Sequence, residues 1–178
     1  MTNVELALAY LGKGYSVIPM KSPSTVKRSN KFRENIEAAL MENAKKTEPR
    51  DKKEIFDELF HRECKKPLLL GWKEYQTRLP TEEEVIDWFT RNPDANVAII
   101  TGKISNVVVF DADSPEAIQF IEEQGGFPKN TPMANSAKGH HYYVRHPGFH
   151  TPNQVKKKIE NADEKLALDV RGDGGYIM

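Results

Sequence analysis

ISNVVVFDAD, residues Ile104 to Asp113, joins a β-branched and aromatic run, Val107 to Phe110, to two carboxylates, Asp111 and Asp113. The run reads as a buried strand. On a strand, residues two apart face the same way, separated by about 6.5 Å of rise. Two like charges on one face at the end of an apolar strand are costly unless something positive lies between them. Two readings follow from the residues alone. The acids are turn and cap residues, since Ser114 and Pro115 suit the N-cap and first position of a helix. Alternatively they hold a divalent cation, for which carboxylate oxygens suit Mg²⁺ or Mn²⁺.

Outward from this stretch, the chain reads as alternating helices and strands. Thr2-x-x-Glu5 is a capping box followed by Val4, Leu8 and Leu11 at helical spacing, and Tyr15 to Pro19 reads as a short strand. Between Ser22 and Lys66 the composition changes to amphipathic helix, with faces Phe32, Ile36, Leu40 and then Ile55, Phe56, Leu59, Phe60. From Lys27 to Lys66 there are twelve Lys/Arg against nine Asp/Glu, which fits a solvated face on a helical insertion or a small DNA-contacting patch. Trp72 and Tyr75 suit packing or base stacking. Thr81-x-x-Glu84 opens a helix that Asn92-Pro93 ends. Asn96 to Ile100 is the next strand, expected beside Val107 to Phe110 in one sheet. After the helix from Pro115 to Glu123, strands are expected at Pro132–Ser136, His140–Arg145, Leu166–Val170 and Gly175–Met178.

The totals bound the possibilities. Across 178 residues Lys+Arg and Asp+Glu are both 26, so no whole-chain field selects a partner. Cys64 is the single cysteine, which excludes an internal disulfide and a cysteine-rich zinc site. No apolar run approaches the roughly 18 residues of a membrane span, and the N-terminus lacks a signal-peptide pattern, so a cytoplasmic protein is expected. GGYIM ends inside what reads as a strand, so the sequence is expected to be the N-terminal part of a longer polypeptide.

Two later segments bear on the acids. SAKGHHYYV, Ser136 to Val144, is a small-residue turn leading into a strand that carries two histidines. The turn's N–H groups, Lys138 and His141 suit an anion; a structural histidine pair is the plainer reading. Alternation puts His141, Tyr143 and Arg145 on one face, His140, Tyr142 and Val144 on the other. LALDVRGDGGY, Leu166 to Tyr176, places Asp169 in an apolar strand with Arg171 on the same face. Either the two form an ion pair, or Asp169 is a third metal-facing carboxylate. Asp173-Gly174-Gly175 reads as a turn.

In this order and spacing the three segments resemble the motifs of the archaeo-eukaryotic primase superfamily, most closely its bifunctional primase–polymerase branch in plasmid and phage replication proteins. VVVFDAD matches the Asp-x-Asp strand, SAKGHHYYV the histidine strand, and LALDVRGDGGY the third acidic strand. The second motif departs from the commoner form, which has two glycines before the histidine; Ala137-Lys138-Gly139-His140 stands there instead. The resemblance implies an α+β primase-like fold across residues 1–178, with an N-terminal α/β unit packed on an RRM-like antiparallel sheet and the active site between them. Residues 22–66 form an insertion outside the family pattern. It further implies a DNA primase/polymerase that adds dNTPs or NTPs to a primer on a DNA template, with two divalent ions, Mg²⁺ or Mn²⁺, and a helicase domain or subunit as a partner. By position, Asp111, Asp113 and Asp169 would be the catalytic metal ligands. His141 would hold the nucleotide's phosphates, assisted by Ser136, Lys138 and Arg171. Two rival readings are a haloacid-dehalogenase-like phosphohydrolase using Asp-x-Asp and an inactive DNA-binding, helicase-recruiting domain.

Overall fold

Asp111 lies on a central strand of an antiparallel sheet. The computed structural model describes residues 1–178 except Ala137 and residues 155–166. The chain divides into two units.

One unit comprises Met1–Ala9, Ile18–Trp72 and Thr81–Ala98. Helix α1 (Asn3–Gly12) starts at the Thr2–Glu5 box, in which the Thr2 N–H donates to Glu5 Oε2 at 2.7 Å and the Glu5 N–H donates to Thr2 Oγ1 at 3.3 Å. Strand β1 (Val17–Met20) is buried along its whole length. Residues 22–66 contain three helices, α2 (Pro23–Arg28), α3 (Asn30–Ala44) and α4 (Lys52–Cys64), capped by Ser22, Ser29 and Asp51. They close on an aromatic cluster in which Phe32 meets Phe56 edge-on and Phe56 stacks on Phe60. Glu63 is paired with Lys21 and Lys66. Burial pushes the Glu63 carboxyl up, but its bonds to the two lysines outweigh this and hold it below its ordinary value. Helix α5 (Glu82–Arg91) has the reciprocal Thr81–Glu84 capping box and buries Val85 and Phe89.

The other unit comprises Tyr10–Val17, Lys73–Pro80 and Ile99–Met178. Strands β3 (Val107–Ala112), β4 (Met133–Asn135), β5 (His140–Arg145) and β6 (Leu168–Arg171) form a sheet in the order β4-β5-β3-β6, all pairs antiparallel. Helix α6 (Pro115–Glu123), capped by Ser114, covers one face. There Ala117 and Ile121 pack with Ala112 and Leu168, joined by Phe110, Phe127 and Tyr142. On the opposite face Val107 and Val109 pack with Ile177, Tyr15, Ile99 and Tyr143. This double covering explains why β3 is an unbroken apolar run rather than an alternating one.

The strand at Asn96–Ile100, β2, does not sit beside β3 as adjacency in sequence suggests. The end of β2 pairs instead with β7 (Tyr176–Ile177), Ile99 opposite Ile177 and Ile100 opposite Tyr176. The cause lies in the link. Gly102 (φ 95°) and Asn106 (φ 52°) adopt left-handed conformations around a single 3₁₀ turn. Gly102 and Val107 then bond to each other, so the chain folds back and leaves β2's sheet. Of the expected strand Leu166–Val170, Leu166 lies outside the described residues, and pairing begins at Leu168.

Candidate active site

The register of the four-stranded sheet sets the site. Asp111 on β3 is directly opposite His141 on β5 and directly opposite Asp169 on β6. Side chains directly opposite across a sheet share a face, so one row carries Asp111 between a histidine and a second acid. Arg171 lies opposite Val109, one same-face step along β6. Its Nη2 donates to Asp169 Oδ2 at 2.7 Å and lies 3.5 Å from Asp111 Oδ2. His140, opposite Ala112, belongs to the face covered by α6 and meets Tyr142 edge-on.

Asp111 is 6 % exposed, so its charge depends on neighbours. Burial raises its pKa, but the close approach and charge of His141, with Arg171 behind them, prevail and hold the carboxyl below its ordinary value. Arg171 therefore supplies the positive charge that the two aspartates require. The His141 contact is close but badly aligned: Nε2 stands 3.1 Å from Asp111 Oδ1, yet among the described residues that oxygen has no hydrogen-bond partner. A buried acceptor without a donor is an oxygen turned toward something else. Burial also raises the pKa of Tyr143, two residues from His141 on the same face, keeping its hydroxyl neutral.

Asp113 follows the end of β3. Its N–H donates to Ala167 O at 2.9 Å, which continues the β3–β6 pairing by one residue and keeps Asp113 on the alternation of Asp111. The three carboxylates supply the hard oxygen donors that Mg²⁺ or Mn²⁺ takes, and the orphaned Asp111 Oδ1 is available for such an ion. As the side chains stand, no group of three or more His, Cys, Asp or Glu among the described residues is gathered to hold a metal. The donor chemistry fits; the arginine holds the place between two of the acids.

The turn before β5 differs from the expected anion cradle. Ser136 Oγ accepts from the N–H groups of Lys138 and Gly139 at 3.3 and 3.0 Å, and the Ser136 N–H donates to Gly139 O at 2.9 Å. Those donors are spent inside the turn, so Ser136 shapes it. Lys138 is exposed at its tip. The turn needs one glycine for a packing reason: a Cβ on Gly139 would lie 1.8 Å from Ala112 O. Ala137 lies outside the described residues.

Asp173, whose sequence context Asp173-Gly174-Gly175 reads as a turn, is a junction in the structure. Its carboxylate accepts from the N–H groups of Lys103 and Thr151, each at 2.8 Å, and meets His146 Nε2 at 3.3 Å and His150 Nδ1 at 3.1 Å. Burial raises its pKa, but the two backbone N–H groups and His146 prevail and hold it low. A Cβ on Gly102 would come within 2.4 Å of Asp173 Oδ1, which explains that glycine as well. These partners are between 22 and 70 residues distant in sequence, so no local pattern announces them.

The antiparallel sheet of this α+β unit gathers acids, a histidine and an arginine on one face, groups able to meet cations and phosphates. Residues 7–178 match the model of the family Prim-Pol, bifunctional DNA primase/polymerase, N-terminal, and the chain belongs to that family. Its α+β fold is accordingly primase-like, and its function is of the DNA primase/polymerase type, with DNA and nucleotides as substrates. Among curated proteins none matches the chain. No helix among the described residues is long and apolar enough to cross a membrane.

Proposed function

We propose that this chain is a metal-dependent nucleotidyltransferase that extends a primer 3′-hydroxyl on a DNA template, in replication of the plasmid or phage type. The observation that carries the reading is the row His141–Asp111–Asp169, with a buried Asp111 oxygen lacking a hydrogen-bond donor. Asp111, Asp113 and Asp169 would hold two divalent ions, Mg²⁺ or Mn²⁺, which when bound lower the pKa of the attacking hydroxyl and neutralise phosphate charge. The low pKa of Asp111 suits a ligand rather than a proton store: at neutral pH the group is already ionised.

In the reaction the 3′-oxygen bonds to the α-phosphorus, the bond from that phosphorus to the bridging oxygen breaks, and pyrophosphate leaves. The protein's part is positioning and charge. His141, on the same face as the acids, bonds a triphosphate oxygen. Arg171 and Lys138 add positive charge for the phosphates, while Ser136 fixes the turn that carries Lys138. Membership of the primase/polymerase family favours this reading over phosphoester hydrolysis by Asp-x-Asp.

Primer extension on a DNA template with Mn²⁺ or Mg²⁺, comparing dNTPs with NTPs, tests the reading. Wild type should incorporate nucleotides, and Asp111→Asn should keep the fold yet lose at least about a hundredfold in incorporation. Phosphate release from small phosphoesters without incorporation would instead support the hydrolase. Near-normal extension by Asp111→Asn would reduce Asp111 to a turn residue.

A further inference from the structure

We infer that the loop His146–Thr151, clamped by Asp173, is a docking surface for single-stranded DNA in which Phe149 stacks on a base while Lys103 and Arg145 meet phosphates. The inference rests on the polymerase reading for the identity of its ligand. Three observations carry it.

The first is exposure. Phe149 is 70 % exposed, although it is followed by a well-bonded segment rather than a loose one. The second is rigidity. The Gly148 N–H donates to His146 Nδ1 at 3.2 Å, which leaves Nε2 of that buried ring to donate to Asp173. Thr151 Oγ1 donates to Phe149 O at 3.2 Å, and the Thr151 N–H donates to Asp173 Oδ2. Both flanks of Phe149 are therefore fixed, and an aromatic ring held out by a fixed loop loses little entropy when a base stacks on it.

The third is charge. The side chain of His150 is 77 % exposed with Nδ1 against Asp173. A carboxylate only accepts, so Nδ1 carries the proton in that bond and the imidazole is spent on Asp173. Lys103, whose N–H binds the same carboxylate, is exposed. Arg145 is exposed too, and it lies opposite Val107, which in turn bridges Gly102. Cations thus flank a lone aromatic, the combination that binds a single strand without reading its sequence. Asp173 itself is screened by two N–H groups and two imidazoles. Along β3 the row of Arg145 is four residues from the row of Asp111, about 13 Å, or roughly four steps of a base-stacked strand.

The test is anisotropy of a fluorescein-labelled single-stranded DNA 20-mer titrated with wild type, Phe149→Ala, Phe149→Trp and Lys103→Ala. Unfolding midpoints and primer extension are measured in parallel. Phe149→Ala should weaken binding about five- to a hundredfold at an unchanged midpoint, and Phe149→Trp should restore it. Lys103→Ala should lower the salt slope by about 0.7. Binding by Phe149→Ala within twofold of wild type overturns the inference, as does equal loss in Phe149→Ala and Phe149→Trp. If wild type extends primers while Phe149 proves irrelevant, only this surface is wrong. If wild type binds through Phe149 yet incorporates nothing, the surface stands and the polymerase reading falls.

Discussion

At the residue scale, the decisive pair is His141 and His140. Adjacent on one strand, they face opposite ways: His141 stands opposite Asp111, and His140 packs on Tyr142 beneath α6. If His141 bonds a triphosphate oxygen, that charge-assisted bond is worth about 1.5–3 kcal/mol. His141→Ala should then raise the KM for nucleotide roughly ten- to a hundred-and-fifty-fold, with kcat less affected if the bond is equally strong in ground and transition states. His140→Ala should leave catalysis within a few-fold of wild type and cost stability through lost packing. Steady-state incorporation with the two variants side by side decides between them; a crippled His140→Ala beside a normal His141→Ala reverses the assignment. The facing of these two rings was legible because strand alternation needs no tertiary information. The Arg171 bridge was legible only for Asp169, two residues away; its reach to Asp111, 60 residues away, came from strand pairing.

At the scale of elements, caps and alternation carried the reading furthest. Pro115–Glu123 is helix α6 as Ser114-Pro115 and the glycines Gly125-Gly126 imply, and His140–Arg145 is strand β5 as its alternation implies. What escaped were relations between elements. The separation of β2 from β3 depends on backbone conformation at Gly102 and Asn106, and Asn106 belongs to a residue type that adopts such angles only in some contexts. Asp173 escaped for the same reason, its partners being distant in sequence. The β4–β5 turn is where sequence and packing meet most sharply. Gly139 has an ordinary φ, so its requirement comes from contact rather than conformation: Ala112 O occupies the place of a Cβ. That oxygen is backbone on the central strand and has little freedom to retreat. Gly139→Ala should therefore push β5 from β3 at the row next to Asp111 and destabilise the protein by about 1–3 kcal/mol. Chemical denaturation of the variant measures this, and an unchanged midpoint would mean that the strands are less closely apposed than they stand here.

At the scale of the whole molecule, net charge is zero at neutral pH, so in acid the repulsion among the lysines and arginines grows as carboxyls protonate, and carboxyls with specific partners add their own loss to it. Among the described residues of the second unit, Asp111 and Asp173 are held below their ordinary values by specific partners. A carboxyl depressed on folding binds its proton more weakly in the folded state than in the unfolded one. Its contribution to stability is complete above the unfolded value, about 3.9, and is lost as pH falls toward and through the folded one. Wild type should accordingly hold a level unfolding free energy from pH 7 to about 5 and decline below about 4. Each such carboxyl can add up to about 1.4 kcal/mol per pH unit between its two values. Asp173→Asn keeps an acceptor for one N–H but cannot ionise, so it should begin from a lower plateau and decline less steeply in acid. Urea denaturation of both proteins from pH 2.5 to 7 gives the two curves. Parallel curves, displaced but equal in slope, would mean that Asp173 stabilises by hydrogen bonding alone and that its charge is of no consequence to folding. Convergence of the curves at low pH is the expected result, since protonation removes from wild type the same charge that the substitution has already removed.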